Sequence, residues 1–360
     1  MANQSQNTFL PSDIIFNILT KLPVKSLCRF KVVCREWNVL ISSQDFVKEH
    51  LCHAKDMKNL AFQKFMYLGV RFSISKVFSR VFDFSTLNKV PLALPFGDKH
   101  VNAEILASCD GLVLLYKGRR IYVLWNPSTG AQREFSGLHM NILVRSCCRL
   151  YGIAYDASIN VYKVIAAARI SNTRESTVIT VYNCRTGTCT YSKGFPYWMY
   201  RSQQGVMVNE VPHWLVSHRE GVGCAIVYYD FASETFKEVP KPEWAENVSE
   251  VDLRAHNGML CLIHFKRGCA DIWVMENYGQ LESWTKLYHN VCCPGNFQMR
   301  PIGLTHNEQV VMEIQQRRID VYDPRTRIFT HKSMYTYHVN AEFGAATYVE
   351  SLVSLDVENV

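Results

Sequence analysis

The chain has 360 residues, of which 48% are apolar and 20% are charged. This length suits two domains or one large repetitive domain, and the apolar share supports a sizeable core, which excludes disorder over most of the chain. The net charge of +7 is too dilute over this length to indicate a protein dedicated to nucleic acid.

The first fifty residues have the spacing of short helices. Pro11-Ser12-Asp13 is a helix start, with Ser12 as the expected cap. Pro23 ends this first helix, whose apolar residues fall on two lines, so we expect it to be covered on two sides. Those residues are Ile14, Ile15, Ile18, Leu19 and Leu22. Further helices are predicted over 24–31 and 33–41 and, capped by Ser43, over 44–51.

The same segment resembles the F-box of plant F-box proteins. The resemblance is carried by Leu10-Pro11-Ser12-Asp13, Ile18-Leu19, Leu22-Pro23-Val24-Lys25-Ser26-Leu27, Arg29-Phe30-Lys31, Val33-Cys34-Arg35 and Trp37, with Leu40-Ile41 and Phe46. One departure is Asn17, where many family members have Glu. The resemblance implies a helical domain over residues 8–53 that docks on a Skp-type adaptor and, through it, joins a cullin and a RING subunit.

The resemblance also places the adaptor contact on particular residues. These are Leu10, Pro11, Ile14, Ile18, Leu22, Pro23, Val24, Leu27 and Trp37. A helical unit of this size has little core of its own, so a partner that covers it would stabilise it. The alternative is that the apolar residues only pack the helices together or against the rest of the chain, which we expect for Leu19, Phe30 and Val33.

After about residue 55, short runs rich in Val, Ile, Tyr, Phe and Trp alternate with turn residues, which predicts an all-β region. A strand–turn–strand unit returns six times, at steps of 43, 57, 47, 46 and 47 residues. Its turn residues are Asp83, Asn126, Asn183, Asp230, Glu276 and Asp323. A second turn series precedes four of these units, at Asp110-Gly111, Asn209-Glu210, Asn257-Gly258 and Asn307-Glu308.

Two turns per period imply four strands per period, which is typical of a β-propeller blade. About 300 residues at this period give about six blades over residues 57–355. A β-sandwich with fortuitously regular turns is the alternative. The region is similar to the F-box-associated, kelch-like propeller of plant F-box proteins, through Ser108-Cys-Asp-Gly111-Leu-Val, Asn126-Pro-Ser-Thr-Gly130 and Tyr151-Gly-Ile-Ala-Tyr155-Asp.

The sequence offers no convincing catalytic or metal-binding motif, so we expect a chain that is not an enzyme and holds no metal or cofactor. Cys184 and Cys189 lack the second pair that a zinc site needs. His213 is expected to be a packed or surface histidine. The basic pairs at Lys117–Arg120 and Arg317-Arg318 are interpreted as solvated turn charge, with recognition of an acidic or phosphorylated target as the alternative.

The amino terminus lacks the pattern of a signal peptide, and no apolar run approaches 18 residues. We therefore expect no membrane span, a cytoplasmic or nuclear location, and thirteen reduced cysteines that act mainly as small buried hydrophobes.

The predicted function is that of a substrate receptor of an SCF-type (Skp adaptor, cullin, F-box) ubiquitin ligase. The propeller would capture an unidentified target protein, on loops of the face distant from the F-box. The alternative is a propeller that binds a glycan or small ligand, with the F-box controlling its own turnover.

Overall fold

A computed structural model describes residues 10–56, 59–71, 76–97, 103–138, 149–169, 177–199, 201–218, 223–247, 249–266, 268–293, 295, 298–315, 318–334 and 345–355. Within these residues, helices occupy the amino-terminal part and strands nearly all the rest. This arrangement confirms the predicted change of period near residue 55. Cys147, Cys148 and Arg317 lie outside the described residues.

The predicted four short helices are present. They are α1 (Ser12–Leu19), α2 (Val24–Phe30), α3 (Arg35–Ser42) and α4 (Gln44–Lys55). Ser43 caps α4 as predicted, because its Oγ accepts a hydrogen bond from the Phe46 amide at 3.3 Å. The prediction that Ser12 caps α1 is wrong: Pro11 occupies the cap position, without a side-chain hydrogen bond.

The helical module has a small core of its own. Its buried side chains are Leu19, Val24, Leu27, Ile41 and Phe46, joined by Leu352 from the other end of the chain. Phe30 packs against this core as predicted. The prediction for Val33 is wrong, because its side chain is 62% exposed and lies before the start of α3.

Twenty-six strands follow in the described part of the chain. They are β1 (Gln63–Arg71), β2 (Lys76–Asp83), β3 (Asn88–Leu92), β4 (Glu104–Cys109), β5 (Leu112–Tyr116), β6 (Tyr122–Trp125), β7 (Gln132–Phe135), β8 (Arg149–Asp156), β9 (Val161–Arg169), β10 (Thr177–Asn183), β11 (Cys189–Lys193), β12 (Tyr197–Trp198), β13 (Gln203–Gln204), β14 (Val206–Val208), β15 (Val211–His218), β16 (Cys224–Asp230), β17 (Thr235–Val239), β18 (Val251–His256), β19 (Met259–Lys266), β20 (Cys269–Met275), β21 (Trp284–Cys292), β22 (Met299–Leu304), β23 (Val310–Ile314), β24 (Arg318–Asp323), β25 (Ile328–Met334) and β26 (Ala345–Val349).

These strands form six antiparallel sheets, which are the blades of a propeller. Blade 1 has the order β26-β1-β2-β3, and blades 2, 3 and 4 are built on β4–β7, β8–β11 and β14–β17. Blades 5 and 6 are β18–β21 and β22–β25. The short strands β12 and β13 add to blades 4 and 3, and β13 pairs with β8 in parallel. The predicted six-bladed propeller is confirmed.

The ring is closed by the two ends of the propeller sequence. Strand β26 pairs antiparallel with β1, with Gln63 opposite Val349, so blade 1 takes one strand from the carboxy-terminal end. Six buried apolar clusters each join two neighbouring blades, and one of them joins blade 6 to blade 1 through Val311, Phe65 and Phe82. Burial between blades therefore runs around the whole ring.

The repeated turn chemistry also appears as predicted. The side-chain oxygens of Asp83, Asn126, Asn183, Asp230 and Asp323 each accept a hydrogen bond from the amide two residues on. Glu276 differs: its hairpin holds a single 3₁₀ turn, Leu281–Ser283, before the next strand. Positive φ angles at Asp110 and Asn209 fit the second turn series.

Most described cysteines are free, and five of them are buried: Cys109, Cys184, Cys224, Cys261 and Cys293. The expectation of reduced thiols fails for one pair, because Cys269 and Cys292 are bonded across the β20–β21 pairing. Their Cα atoms are 4.2 Å apart, a distance set by two residues directly opposite each other in antiparallel strands.

Candidate functional site

An exposed apolar line runs along α1 and its entry. Leu10 lies just before the helix, and Ile14 and Ile18 are four residues apart, which places these two on one face of it. Their side chains are 57%, 45% and 49% exposed, whereas Leu19 on the inner face is 2% exposed. The helix therefore buries one apolar face in the module and presents a second, as its two-sided pattern predicted.

The other predicted adaptor residues divide by burial. Pro11 and Pro23 are exposed, and Leu22 and Trp37 are half-buried. Val24 and Leu27 require a correction, because both side chains are fully buried in the module's core. These two residues stabilise the core on which the exposed residues lie, and they do not contact a partner directly.

Sequence reasoning missed two exposed residues of the same module. Val32 is 86% exposed in the turn between α2 and α3, and Val39 is 64% exposed on α3. A usable signal was present for Val39, since it precedes the buried Ile41 by two positions and so faces away from it on a helix. Val32 had no such signal, because its position depends on how the turn leaves α2.

Exposed apolar side chains are concentrated on this module. Of thirteen large apolar side chains exposed in the described part of the chain, six lie between residues 10 and 39. They are Leu10, Ile14, Ile18, Val32, Val33 and Val39, hereafter the apolar face. Such a concentration is typical of a protein-interaction surface, whereas single exposed apolar residues are ordinary.

The second feature is the central channel of the propeller, a cavity of about 530 Å³. Lys55 of α4 lines one end, and its Nζ lies 2.5 Å from Asp110 and 3.8 Å from Glu210. Burial lowers the pKa of Lys55, but the two carboxylates outweigh it and hold that pKa above its ordinary value. The turns after β4 and β14 therefore face the helical module.

The opposite end of the channel holds a charged cluster. Asp252 is 2% exposed, and its carboxylate contacts Arg201, Arg254 at 3.1 Å and Arg300 at 2.7 Å. Asp252 and Arg300 lie at the starts of β18 and β22, whereas the turns that face the helices follow the ends of inner strands. The start and the end of a strand that lines the channel lie at opposite ends of it, so this cluster is at the mouth distant from the helical module.

Electrostatics in the cluster follow from burial and charge. Burial alone would raise the pKa of Asp252, but Arg254, Arg300 and Arg201 hold it well below its ordinary range. Burial lowers the pKa of Arg254 to about 10, against the opposing effect of Asp252. With Glu313, opposite Arg300 in the β22–β23 pairing, the described cluster contains three cations and two carboxylates.

The remaining sequence candidates are structural. His213 is fully buried, its Nε2 lies 2.7 Å from the Tyr278 hydroxyl, and burial lowers its pKa to about 4. Lys117 pairs with Glu134, and Arg318 pairs with Asp320 at 3.0 Å.

In the described ranges, no group of three His, Cys, Asp or Glu side chains is arranged to hold a metal ion. None of the helices described is long and apolar enough to cross a membrane.

A helical module with an exposed apolar face, followed by a six-bladed propeller, defines an F-box protein with a carboxy-terminal propeller. Residues 8–49 match the F-box domain, and residues 63–355 match the F-box associated beta propeller domain. The chain belongs to the F-box associated beta propeller family, and the match spans nearly all of its strands.

Relatives in Arabidopsis thaliana are named as F-box proteins. The chain is 28% identical over 321 residues to the F-box/kelch-repeat protein At3g23880, covering 85% of each chain. It is 23% identical over 379 residues to the F-box protein CPR1, covering 96% of this chain and 88% of the relative. The chain is thus similar along both domains to plant F-box proteins.

Proposed function

We propose that this chain is the substrate-recognition subunit of an SCF-type ubiquitin ligase. The F-box docks on a Skp-type adaptor that connects to a cullin and a RING subunit, and the propeller holds the target protein for ubiquitination. The observation that carries this proposal is the apolar face, which is exposed on the segment that matches the F-box domain. An apolar surface of this kind gains stability when a partner covers it.

The chain contributes binding and position to this reaction. Holding a target lysine near a charged carrier enzyme raises its effective concentration, so the receptor needs no nucleophile or metal of its own. The buried thiols fit this role: burial raises the pKa of Cys109, Cys184 and Cys261, which keeps them protonated and unreactive. Ligase assembly of this type takes place in the cytoplasm or nucleus.

The channel mouth distant from the F-box is the favoured target site. The end near α4 is partly covered, because Lys55 reaches the turns at Asp110 and Glu210. The distant end contains the three arginines around Asp252, with side chains 13–29% exposed to the channel. A mouth with this excess of cationic donors favours acidic groups on a target.

Adaptor binding is tested by replacing Leu10 and Pro11 together with Ala. Both residues are exposed, so the substitution removes contact area without opening the core. We expect the Skp-type adaptor no longer to co-purify, while the propeller keeps its thermal unfolding transition. Co-purification at the original level would contradict the proposal.

Target capture is tested by proximity labelling in plant cells, with and without a proteasome inhibitor. We expect a set of labelled proteins that accumulates near the receptor when the proteasome is inhibited. When Leu10 and Pro11 are replaced, these proteins should still be labelled but should no longer be ubiquitinated. A labelled set whose ubiquitination is independent of the F-box would favour a binding module without a ligase role.

A further inference from the structure

The last described residues of the chain lie between the two domains. After β26 ends at Val349, the segment Ser351–Leu355 runs between the F-box helices and blades 2 and 3; we call it the C-terminal strap. Ser351 is fully buried, Leu352 is 6% exposed and Val353 is 5% exposed. Ser351–Leu355 belongs to no helix or strand, so this degree of burial depends on contacts with the elements around it.

The strap contributes side chains to two different cores. Leu352 packs with Leu19, Val24 and Leu27 in the F-box core. Val353 and Leu355 pack in the cluster between blades 2 and 3. In an extended segment successive side chains point to opposite sides, so one short run of residues can serve both cores. The F-box core is therefore completed by a residue more than 300 positions away.

Specific hydrogen bonds hold the strap on blade 2. The Asn126 side-chain amide is fully buried and donates to the carbonyls of Ser351 at 3.0 Å and Val353 at 2.9 Å. The Ser351 hydroxyl donates to the Asp110 carbonyl at 2.6 Å. The side chain of Asp110 in turn pairs with Lys55 at the end of α4. Blade 2, the strap and the F-box thus form one connected network.

Closure of the propeller places Leu352 beside the F-box. Leu352 lies three positions after Val349, a span of at most about 10 Å even when fully extended. Val349 is the residue of β26 that pairs with Gln63 of β1, the pairing that closes blade 1. The pairing of β26 with β1 therefore anchors the chain within reach of the position that Leu352 occupies among the helices.

We propose that the C-terminal strap makes adaptor binding by the F-box conditional on closure of the propeller, and this rests on the adaptor docking proposed above. A helical unit of this size has too small a core to remain well ordered without added contacts. A receptor with an unfinished or open propeller would lose Leu352 from the F-box core, and the apolar face above that core would lose its support. Incomplete receptors would then fail to occupy the ligase.

Linkage makes the coupling reciprocal. If strap docking increases adaptor affinity, adaptor binding must favour strap docking by the same factor. Adaptor contacts on the outer face of α1 would therefore protect the backbone amides of the strap, although the strap lies on the opposite side of the F-box core.

The test uses the full chain, a purified plant Skp-type adaptor and the substitution Asn126→Asp. Aspartate keeps the oxygen that accepts from the Ser128 and Thr129 amides, but it loses the N–H groups and turns a negative charge toward two carbonyls. The matched control is Asn183→Asp, in the equivalent turn of blade 3, where the side-chain oxygen likewise accepts from Arg185 and Thr186.

We expect Asn126→Asp to weaken adaptor binding at least tenfold, equivalent to about 1.4 kcal/mol, and Asn183→Asp to leave it unchanged. Hydrogen exchange in peptides covering 350–355 should slow when adaptor binds the unsubstituted chain. The proposal would be overturned if both variants bound adaptor with equal affinity while hydrogen exchange showed that the strap is released in Asn126→Asp. Strap exchange that adaptor does not alter would also overturn it.

A second variant covers the case in which Asn126→Asp unfolds blade 2. Leu352→Ala removes a side chain that packs in the F-box core and leaves the blade contacts of Val353 and Leu355 in place. We expect weaker adaptor binding with unchanged exchange in blade 4, and unchanged binding would overturn the coupling. Failure of the Leu10-Pro11 double substitution to affect binding would instead contradict the docking proposal itself.

Discussion

Gly111 and Ser351 lie in direct contact, and only glycine leaves room for that contact. Gly111 has a φ of +84°, and a Cβ built on it would lie 2.8 Å from the Ser351 Cβ and 2.7 Å from the Val349 carbonyl oxygen. The Asp-Gly turn of blade 2 is therefore the surface on which the C-terminal strap is seated. The requirement for glycine at this turn therefore comes from a segment 240 positions later in the sequence.

The first prediction follows from this contact. Gly111→Ala should destabilise the chain through the positive φ, about 1 kcal/mol, and through overlap with the strap, about 1–3 kcal/mol more. Gly118→Ala is the matched control, because Gly118 has a φ of +91° and no atom within 4 Å of a built Cβ. Urea unfolding should show the larger loss for Gly111→Ala, and equal losses would mean that the strap is not seated there.

The second prediction concerns the apolar face. Ile14→Ala should weaken adaptor binding by roughly 1–2 kcal/mol, or about five- to thirty-fold, with little change in unfolding free energy, since the side chain is 45% exposed. Ile328→Ala, at an exposed site on blade 6, is the control for loss of an exposed isoleucine. Titration calorimetry with the purified adaptor measures both. An equal effect of the two substitutions would rule out Ile14 as a contact residue.

The third prediction separates support from contact. Leu27→Ala should lower the free energy of unfolding of the F-box by about 2–5 kcal/mol, because it opens a cavity in a fully buried site. Excess adaptor should raise the stability of this variant by linkage, because the contact residues remain, whereas the loss of a contact residue would reduce that gain. Thermal unfolding with and without adaptor checks this, and the absence of any recovery would place Leu27 among the contacts.

The fourth prediction concerns the charged cluster in the channel. Asp252→Asn should destabilise the propeller by about 3–5 kcal/mol, because Arg201, Arg254 and Arg300 would lose their shared buried carboxylate. The control, Asp230→Asn, removes a carboxylate from a more exposed pair with Lys237, where solvent screens the interaction, and should cost clearly less. Denaturant unfolding, followed by the tryptophan and tyrosine signals of blades 5 and 6, measures the free energy of unfolding of both variants. Similar losses of stability would contradict a stabilising role for the charged cluster.

The fifth prediction is a loss of stability in mild acid. Burial lowers the pKa of His213 and of His256 to about 4, below the value of about 6.5 in an unfolded chain. Between these values the unfolded state binds protons that the folded state does not, so stability falls as the pH drops below about 6.5. At pH 5 each histidine should account for about 2 kcal/mol of the loss.

His256→Asn isolates one of these contributions. The substitution should lower stability at pH 7 but reduce the further loss between pH 7 and pH 5 by about 2 kcal/mol, because the group that resists protonation is gone. The control is the unsubstituted chain, whose unfolding is measured over the same pH range. A profile for His256→Asn parallel to that of the unsubstituted chain would contradict the assignment.

Much of the architecture follows from local sequence. Ile14, Ile18 and Leu19 define a helix with two apolar faces, and Asn126 and Asn183 fix hairpin turns through hydrogen bonds to amides only two residues away. Such features depend on short-range geometry, so their spacing in the sequence predicts six blades and four short helices. Helix boundaries were less predictable, as Ser12 shows, because a proline before it could also begin the helix.

Tertiary structure alone decided which apolar residues are buried and which are exposed. Val24 and Val33 have the same side chain, yet one is fully buried and the other is 62% exposed. The sequence likewise gave no reason to join Asn126 to Ser351 or Leu352 to Leu27. These contacts join residues more than 200 positions apart, which the pairing of β26 with β1 helps to bring together, and no local pattern of residues predicts a contact across such a separation.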